Sequence, residues 1–123
     1  MVKTISILGS TGSIGVNALE VISNLKKSFK VKYLSTNKNV DLLIRQIKEH
    51  KPKSVAVVDE LAAKKIKSAL DEMGIELLIG KVGLLDLSQR HDIDLVLNGL
   101  VGASGMQPTI NAIKAGVNVA LAN

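Results

Sequence analysis

The sequence predicts an α/β domain in which a doubly wound, mostly parallel sheet carries helices on both faces. Three observations predict it. Short aliphatic runs alternate with helical stripes along the whole chain, and the connections are too long for hairpins. Apolar residues make up 46% of the chain, yet Phe29 and Tyr33 are its aromatic residues, so the core must be Ile, Leu, Val and Ala, as in strands buried on both faces. A glycine-rich turn at residues 9–15 joins the first strand to the first helix. With 123 residues and no linker, low-complexity stretch or shift in composition, residues 1–123 read as one domain.

The elements follow in order. Residues 4–8 (TISIL) are an aliphatic strand ending at Gly9. Over residues 16–27, Val16, Leu19, Val21, Ile22 and Leu25 form a helical stripe. Residues 29–35 (FKVKYLS) alternate as a strand, residues 41–49 are helical, and Pro52 marks the helix exit. Residues 54–59 are a β-branched strand, and residues 60–73 are a helix closed by Gly74. A short strand at 75–79, a short helix at 82–91 and a strand at 94–98 come next. Residues 107–115 are helical with Pro108 in the first turn, where its missing N–H costs nothing, and Gly116 closes that helix. Residues 117–122 are the last strand. The strand at 75–79 is expected at the periphery and the strand at 94–98 beside the first. GSTGSIG (9–15) and GLVGASG (99–105) share a glycine spacing, and that order places both at one crevice beyond the carboxyl ends of the strands.

The first glycine turn reads as a phosphate site. A strand running straight into a helix leaves the N–H groups of the first helical turn free. With the positive end of the helix dipole they attract an anion. Gly9 permits the tight turn, Gly12 lets a diphosphate approach the backbone, and Gly15 lets the helix pack closely on the sheet. Ser10, Thr11 and Ser13 offer hydroxyls, and Ile14 an apolar contact. The G-x-x-G-x-x-G pattern is not a P-loop, because Val16 and Asn17 follow Gly15 where Lys and Ser or Thr would stand, so triphosphate hydrolysis has no support. A glycine-rich turn without a ligand is the plainer alternative. The strand-turn-helix context favours a dinucleotide in a Rossmann-like domain.

About 20 residues further on, an NAD-specific domain carries an acid for the ribose 2′-hydroxyl. Here stand Ser35, Thr36, Asn37, Lys38 and Asn39. A carboxylate would repel a 2′-phosphate, whereas a lysine and amides attract one, so these residues point to NADP(H). The structural alternative is a polar turn in which Asn39 caps the next helix.

Other chemistry is sparse. The absence of cysteine excludes thiolate catalysis, Cys-ligated zinc and disulfides. His91, Asp92 and Asp94 resemble a metal cluster in composition but read better as an exposed turn entering a strand, and His50 sits at a helix end. Asp59 and Glu60 suit a helix N-terminus, and Met106 reads as packing. The serine-rich loops have no paired base. No catalytic residue and no metal ligand is expected in residues 1–123. The net charge of +5 comes from scattered lysines without interleaved aromatics, so no nucleic-acid partner is expected. No apolar run approaches the roughly 20 residues of a membrane span, and the opening VKTISIL lacks a signal-peptide core, so no membrane role and a cytoplasmic location are expected.

ILGSTGSIG, NKNV, GLVGASGMQPT and the closing ALAN together resemble the N-terminal NADPH-binding domain of the 1-deoxy-D-xylulose 5-phosphate reductoisomerase family, over essentially the whole chain. The resemblance implies a part in making 2-C-methyl-D-erythritol 4-phosphate, by metal-dependent isomerisation of that sugar phosphate and reduction by NADPH. This reaction belongs to the non-mevalonate route to isoprenoids. It also implies a homodimer that uses Mg2+, Mn2+ or Co2+. It places Thr11, Gly12, Ser13 and Ile14 at the cofactor diphosphate, and Asn37, Lys38 and Asn39 at the adenosine 2′-phosphate. Asn123 would lie towards the nicotinamide, in a cleft lined by residues 99–105. Asn37 stands where the family commonly has glycine, and its side chain either adds a hydrogen bond or crowds the phosphate. The family continues past LAN into a domain that binds metal and sugar phosphate, so a catalytic and metal-binding domain is expected C-terminal to residue 123. Two other readings are the cofactor domain of a semialdehyde or acyl-phosphate reductase, its cysteine beyond Asn123, and a stand-alone nucleotide-sensing domain.

Overall fold

The computed structural model describes residues 1–121. Its strands are β1 (Lys3–Leu8), β2 (Phe29–Thr36), β3 (Ser54–Val57), β4 (Glu76–Ile79), β5 (Leu95–Asn98) and β6 (Asn118–Leu121). They form one parallel sheet in the order β4-β3-β2-β1-β5-β6. The helices are α1 (Ser13–Ser23), α2 (Val40–His50), α3 (Glu60–Met73), α4 (Gly80–Ser88) and α5 (Met106–Lys114), the last preceded by a 3-10 turn at Gly102–Gly105. β4 is at an edge and β5 pairs with β1, as the sequence predicts.

The chain winds outwards from β1 to β4, then returns across the sheet to β5. Each half therefore covers a different face. Leu19 and Ile22 of α1, Leu43 and Ile47 of α2, and Ile66 and Leu70 of α3 pack on Ile5, Ile7, Val31, Val55 and Val57. Leu84 and Leu87 of α4 and Ala112 of α5 pack on Leu8, Tyr33, Ala56 and Val96. β3 is buried at every position, which explains its uninterrupted SVAV, whereas edge strand β4 exposes both ends. The direction of winding reverses between β1 and β5, so the carboxyl ends of these strands open a crevice.

The elements differ most from expectation at four places, one of them β3, which ends at Val57 rather than at residue 59 because Asp59 caps α3. α1 begins at Ser13, three residues before the apolar stripe, because Gly12 serves as its N-cap, and it ends at Ser23, because the chain must turn to enter β2. α4 starts at Gly80, directly from β4, and ends at Ser88 rather than at residue 91, because the chain must turn there to enter β5. β2 is not a simple alternating strand: Ile5 pairs with Val31 but Ser6 with Tyr33, leaving Lys32 as an extra residue. This bulge turns Tyr33 to the face opposite Val31.

The bulge supports an ionic lattice at the amino edge of the sheet. Lys32 Nζ lies 2.7 Å from Asp92 Oδ2, and the buried Tyr33 hydroxyl donates to Asp92 Oδ1 at 2.8 Å. Burial pushes the Asp92 carboxyl up, but Lys32 and Tyr33 together hold it below its ordinary value. The Arg90 guanidinium lies over the Tyr33 ring and donates to Glu76 Oε1 at 2.7 Å, while the Ser54 hydroxyl donates to the same oxygen at 2.6 Å. Asp94 Oδ2 accepts from the Thr4 N–H at 2.7 Å. Asp92 and Asp94 thus pin the entry to β5, which is the structural reading of that turn. Among the described residues no group of three or more His, Cys, Asp or Glu side chains is placed to hold a metal ion.

Arg90 and Ser54 hold the Glu76 carboxyl at about 2, against an ordinary value of 4.5. A carboxylate whose folded value is lowered stabilises the fold above its ordinary value, and that stability fades as pH falls towards 2. Glu76 is half exposed, so solvent screening keeps the contribution small. We expect Glu76→Gln to lower Tm by about 2–4 °C at pH 7. Melting curves from pH 7 down to pH 2.5 should show the variant and the parent converging.

Candidate functional site

The crevice is built from three backbone segments that touch without side chains between them. Gly9 leaves β1 with φ of +76°, a conformation L side chains rarely adopt, and a Cβ there would stand 3.3 Å from the Gly99 carbonyl and 3.2 Å from Leu100 Cδ2. Gly15, in the first turn of α1, faces the Gly9 carbonyl, and a Cβ on it would lie 2.5 Å from Ser10 Cα. The close packing assigned to Gly15 is therefore against the turn itself rather than the sheet. Gly12 is different. Its φ of −77° suits any residue, and a Cβ would meet nothing nearer than the Gly9 carbonyl at 3.5 Å. Neither conformation nor internal packing asks for glycine there; an added methyl would occupy open space above the start of α1. No side chain caps α1, and its first turn has no acidic residue, so the leading N–H groups face that space.

Side chains lock the turn from behind. Ser10 is fully buried; its hydroxyl donates to Gln46 Oε1 at 2.8 Å, and Gln46 Nε2 donates back to the Ser10 carbonyl at 2.9 Å. The Ser35 hydroxyl accepts from the Gly9 N–H at 2.8 Å. Ser10 therefore offers no hydroxyl to a ligand, contrary to expectation, because α2 lies directly behind it. The Thr11 and Thr36 hydroxyls share a hydrogen bond of 2.6 Å, tying the turn to the end of β2. Ser13 is exposed and Ile14 half-buried at the head of α1. The second glycine loop has its own bracket: buried Asn98 donates to the Gly105 carbonyl at 2.9 Å and to Thr109 Oγ1 at 2.6 Å, and accepts from the Leu100 N–H at 3.0 Å.

Asn37, Lys38 and Asn39 stand exposed beyond β2. Asn39 caps α2, its Oδ1 accepting from the Leu42 N–H at 3.2 Å, which leaves its amide N–H groups free to donate outward. Two cavities open from the crevice, and Leu100 lines both. The larger, about 570 Å³, runs between Ser35, Thr36 and Asn37 on one side and Lys81, Leu84 and Ser104 on the other. The smaller, about 260 Å³, is lined by Asn98, Gly105, Met106, Thr109 and Leu121. Met106, expected from the sequence as packing, is instead 66% exposed at its rim, because it opens α5 at the mouth of the cavity. Asn123 lies outside the described residues. Thr11, Gly12, Ser13, Ile14, Asn37, Lys38 and Asn39 are all at the carboxyl edge. Gln46 and Asn98 carry no local signal of their supporting roles beyond being polar, and Ser35, grouped in the sequence with the polar residues pointing to NADP(H), turns inward to Gly9 instead.

The chain as a whole is similar to known proteins. A family model for 1-deoxy-D-xylulose 5-phosphate reductoisomerase matches residues 5–123. The chain is 46% identical over 121 residues to the 1-deoxy-D-xylulose 5-phosphate reductoisomerase of Chloroherpeton thalassium, covering 98% of this chain and 31% of that protein. It is 48% identical to the protein of the same name from Caldanaerobacter subterraneus, again over 98% of this chain and 31% of the relative. The chain thus spans about a third of the length of these relatives. Among solved structures, the Zymomonas mobilis reductoisomerase in complex with NADPH superposes on all of this chain with a TM-score of 0.91 at 30% identity, the match covering 32% of that protein. A reductoisomerase in complex with NADPH, fosmidomycin and magnesium gives 0.89 at 28% identity, over 99% of this chain and 30% of that one.

The glycines separate packing from binding. Gly15→Ala forces backbone apart at Ser10 and should cost about 3 kcal/mol or more in a urea melt. Gly12→Ala should cost about 1 kcal/mol or less. Similar losses at the two positions would contradict the geometry.

Proposed function

Because the chain belongs to the 1-deoxy-D-xylulose 5-phosphate reductoisomerase family, we propose that it is the NADPH-binding domain of an enzyme making 2-C-methyl-D-erythritol 4-phosphate from 1-deoxy-D-xylulose 5-phosphate. The observation that carries this reading is Gly12: a glycine that neither conformation nor internal contact requires, placed where the uncapped N–H groups of α1 face solvent. A diphosphate there needs that space open. The family membership removes the support for a semialdehyde or acyl-phosphate reductase.

NADPH, when bound, supplies the hydride. The chain's own residues bind and orient it. Thr11, Gly12, Ser13 and Ile14 take the diphosphate. Asn37, Lys38 and Asn39 take the 2′-phosphate: the lysine by charge, the two amides by donating. The larger cavity, lined by Asn37, suits the adenosine with its 2′-phosphate, and the smaller one, beyond Leu100, the nicotinamide end. Asn123 is assigned to that end by the family motif. Asp92 and Asp94 are held by Lys32, Tyr33 and Thr4, so the residues described here do not fit the divalent metal. Metal, whether Mg2+, Mn2+ or Co2+, and sugar phosphate are assigned to a domain following residue 123. Homodimer formation and a cytoplasmic location are proposed for the whole enzyme on family grounds. Among the described residues no helix is long and apolar enough to cross a membrane.

Titration of the chain with NADPH and NADH tests the cofactor assignment. NADPH should bind more tightly, and Lys38→Ala should weaken NADPH by about tenfold while leaving NADH unchanged. Equal binding of both nucleotides, unmoved by the substitution, would overturn it. Turnover of the sugar phosphate with Mn2+ and NADPH tests the division between domains. The 123-residue chain should form no product, and measurable product would refute the division.

A further inference from the structure

We propose that Lys81 is a second cation for the 2′-phosphate of the dinucleotide, reaching it across the larger cavity from the side opposite Lys38. The inference deepens the NADPH reading and rests on it.

Three observations carry it. The cavity of about 570 Å³ is lined by Asn37 on the β2 side and by Lys81 on the α4 side, so the two share one space at the carboxyl edge. Lys81 is exposed, and no ion pair joins it to any acid among the described residues. Its place on the helix is electrostatically adverse. Lys81 is the second residue of α4, where the helix dipole favours an acid. α2 and α3 follow that rule, with Asp41 and Glu60 in their first turns; α1, α4 and α5 have neither an acid nor a side-chain cap there, and of the five helices among the described residues α4 alone carries a lysine in its first turn. Positions that break a local rule with no compensating internal partner are where functional or strained sites are expected, and here the broken rule coincides with a cavity wall. An anion in the cavity supplies the partner. It meets Lys81 and the uncapped start of α4 on one wall, and Asn37 and neighbouring Lys38 on the other. Of the dinucleotide's anionic groups, the diphosphate is assigned to α1, which leaves the 2′-phosphate.

The test is a set of titrations of the 123-residue chain, parent and variants, with NADPH, NADH and 2′-AMP. Lys81→Gln should weaken NADPH and 2′-AMP by about three- to tenfold and leave NADH unchanged. Lys38→Ala with Lys81→Gln should abolish the preference for NADPH over NADH. Lys53→Gln, a surface lysine at the amino edge, should change none of these. Lys81→Gln should leave Tm unchanged or slightly raised, since it removes a cation from a helix N-terminus. Unchanged NADPH affinity in Lys81→Gln, with the Lys38→Ala effect intact, overturns this inference alone. Equal weakening of NADPH and NADH also overturns it, by moving Lys81 to a group both nucleotides share. A parent chain that fails to discriminate between the two overturns the NADPH reading and this inference with it.

Discussion

The structure depends on a close approach of backbone to backbone. Between β1 and α1 the chain doubles back so tightly that the first helical turn rests on the turn that precedes it, with Gly15 against Ser10 and Gly9. The loop after β5 closes on the same spot, Gly99 against the Leu8 and Gly9 carbonyls. No side chain fits between these segments. Because they meet at the point where the winding reverses, the start of α1 is aimed over the mouth of the crevice, and its amide dipoles act together there.

Such an arrangement serves binding only if it is rigid before the ligand arrives, since ordering a loop on binding lowers affinity. Buried polar brackets provide that rigidity. Gln46 and Ser35 fix the first loop to α2 and β2, and Asn98 fixes the second to the head of α5. At the far edge, the lattice of Lys32, Asp92, Arg90 and Glu76 holds the return from α4 into β5. That return places β5 next to β1, so the ionic edge and the cofactor edge are linked through the same two strands.

The fold was legible because its signals are local and repeated. Aliphatic runs, helical stripes, Gly74, Pro108 and Gly116 each punctuate the chain within a few residues. The glycine turn was legible for the same reason. What escaped depends on partners distant in sequence. Ser10 looks like any loop hydroxyl until α2 is seen to cover it. Asn98 looks like a strand-ending polar residue until Gly105 and Thr109 fold back to it. The bulge at Lys32 leaves the alternation of FKVKYLS looking regular, and only the register with β1 exposes it. Lys81 reads as one more scattered surface lysine, and its interest appears only once α4 and the end of β2 are seen to face one cavity.

The most direct measurement is a backbone amide NMR titration of the chain with NADPH. The amides of Gly12, Ser13, Ile14 and Gly15 should show the largest shifts, moving together with those of residues 37–39. Shifts confined to the amino edge or to the outer faces of the helices, with the start of α1 unmoved, would contradict the account.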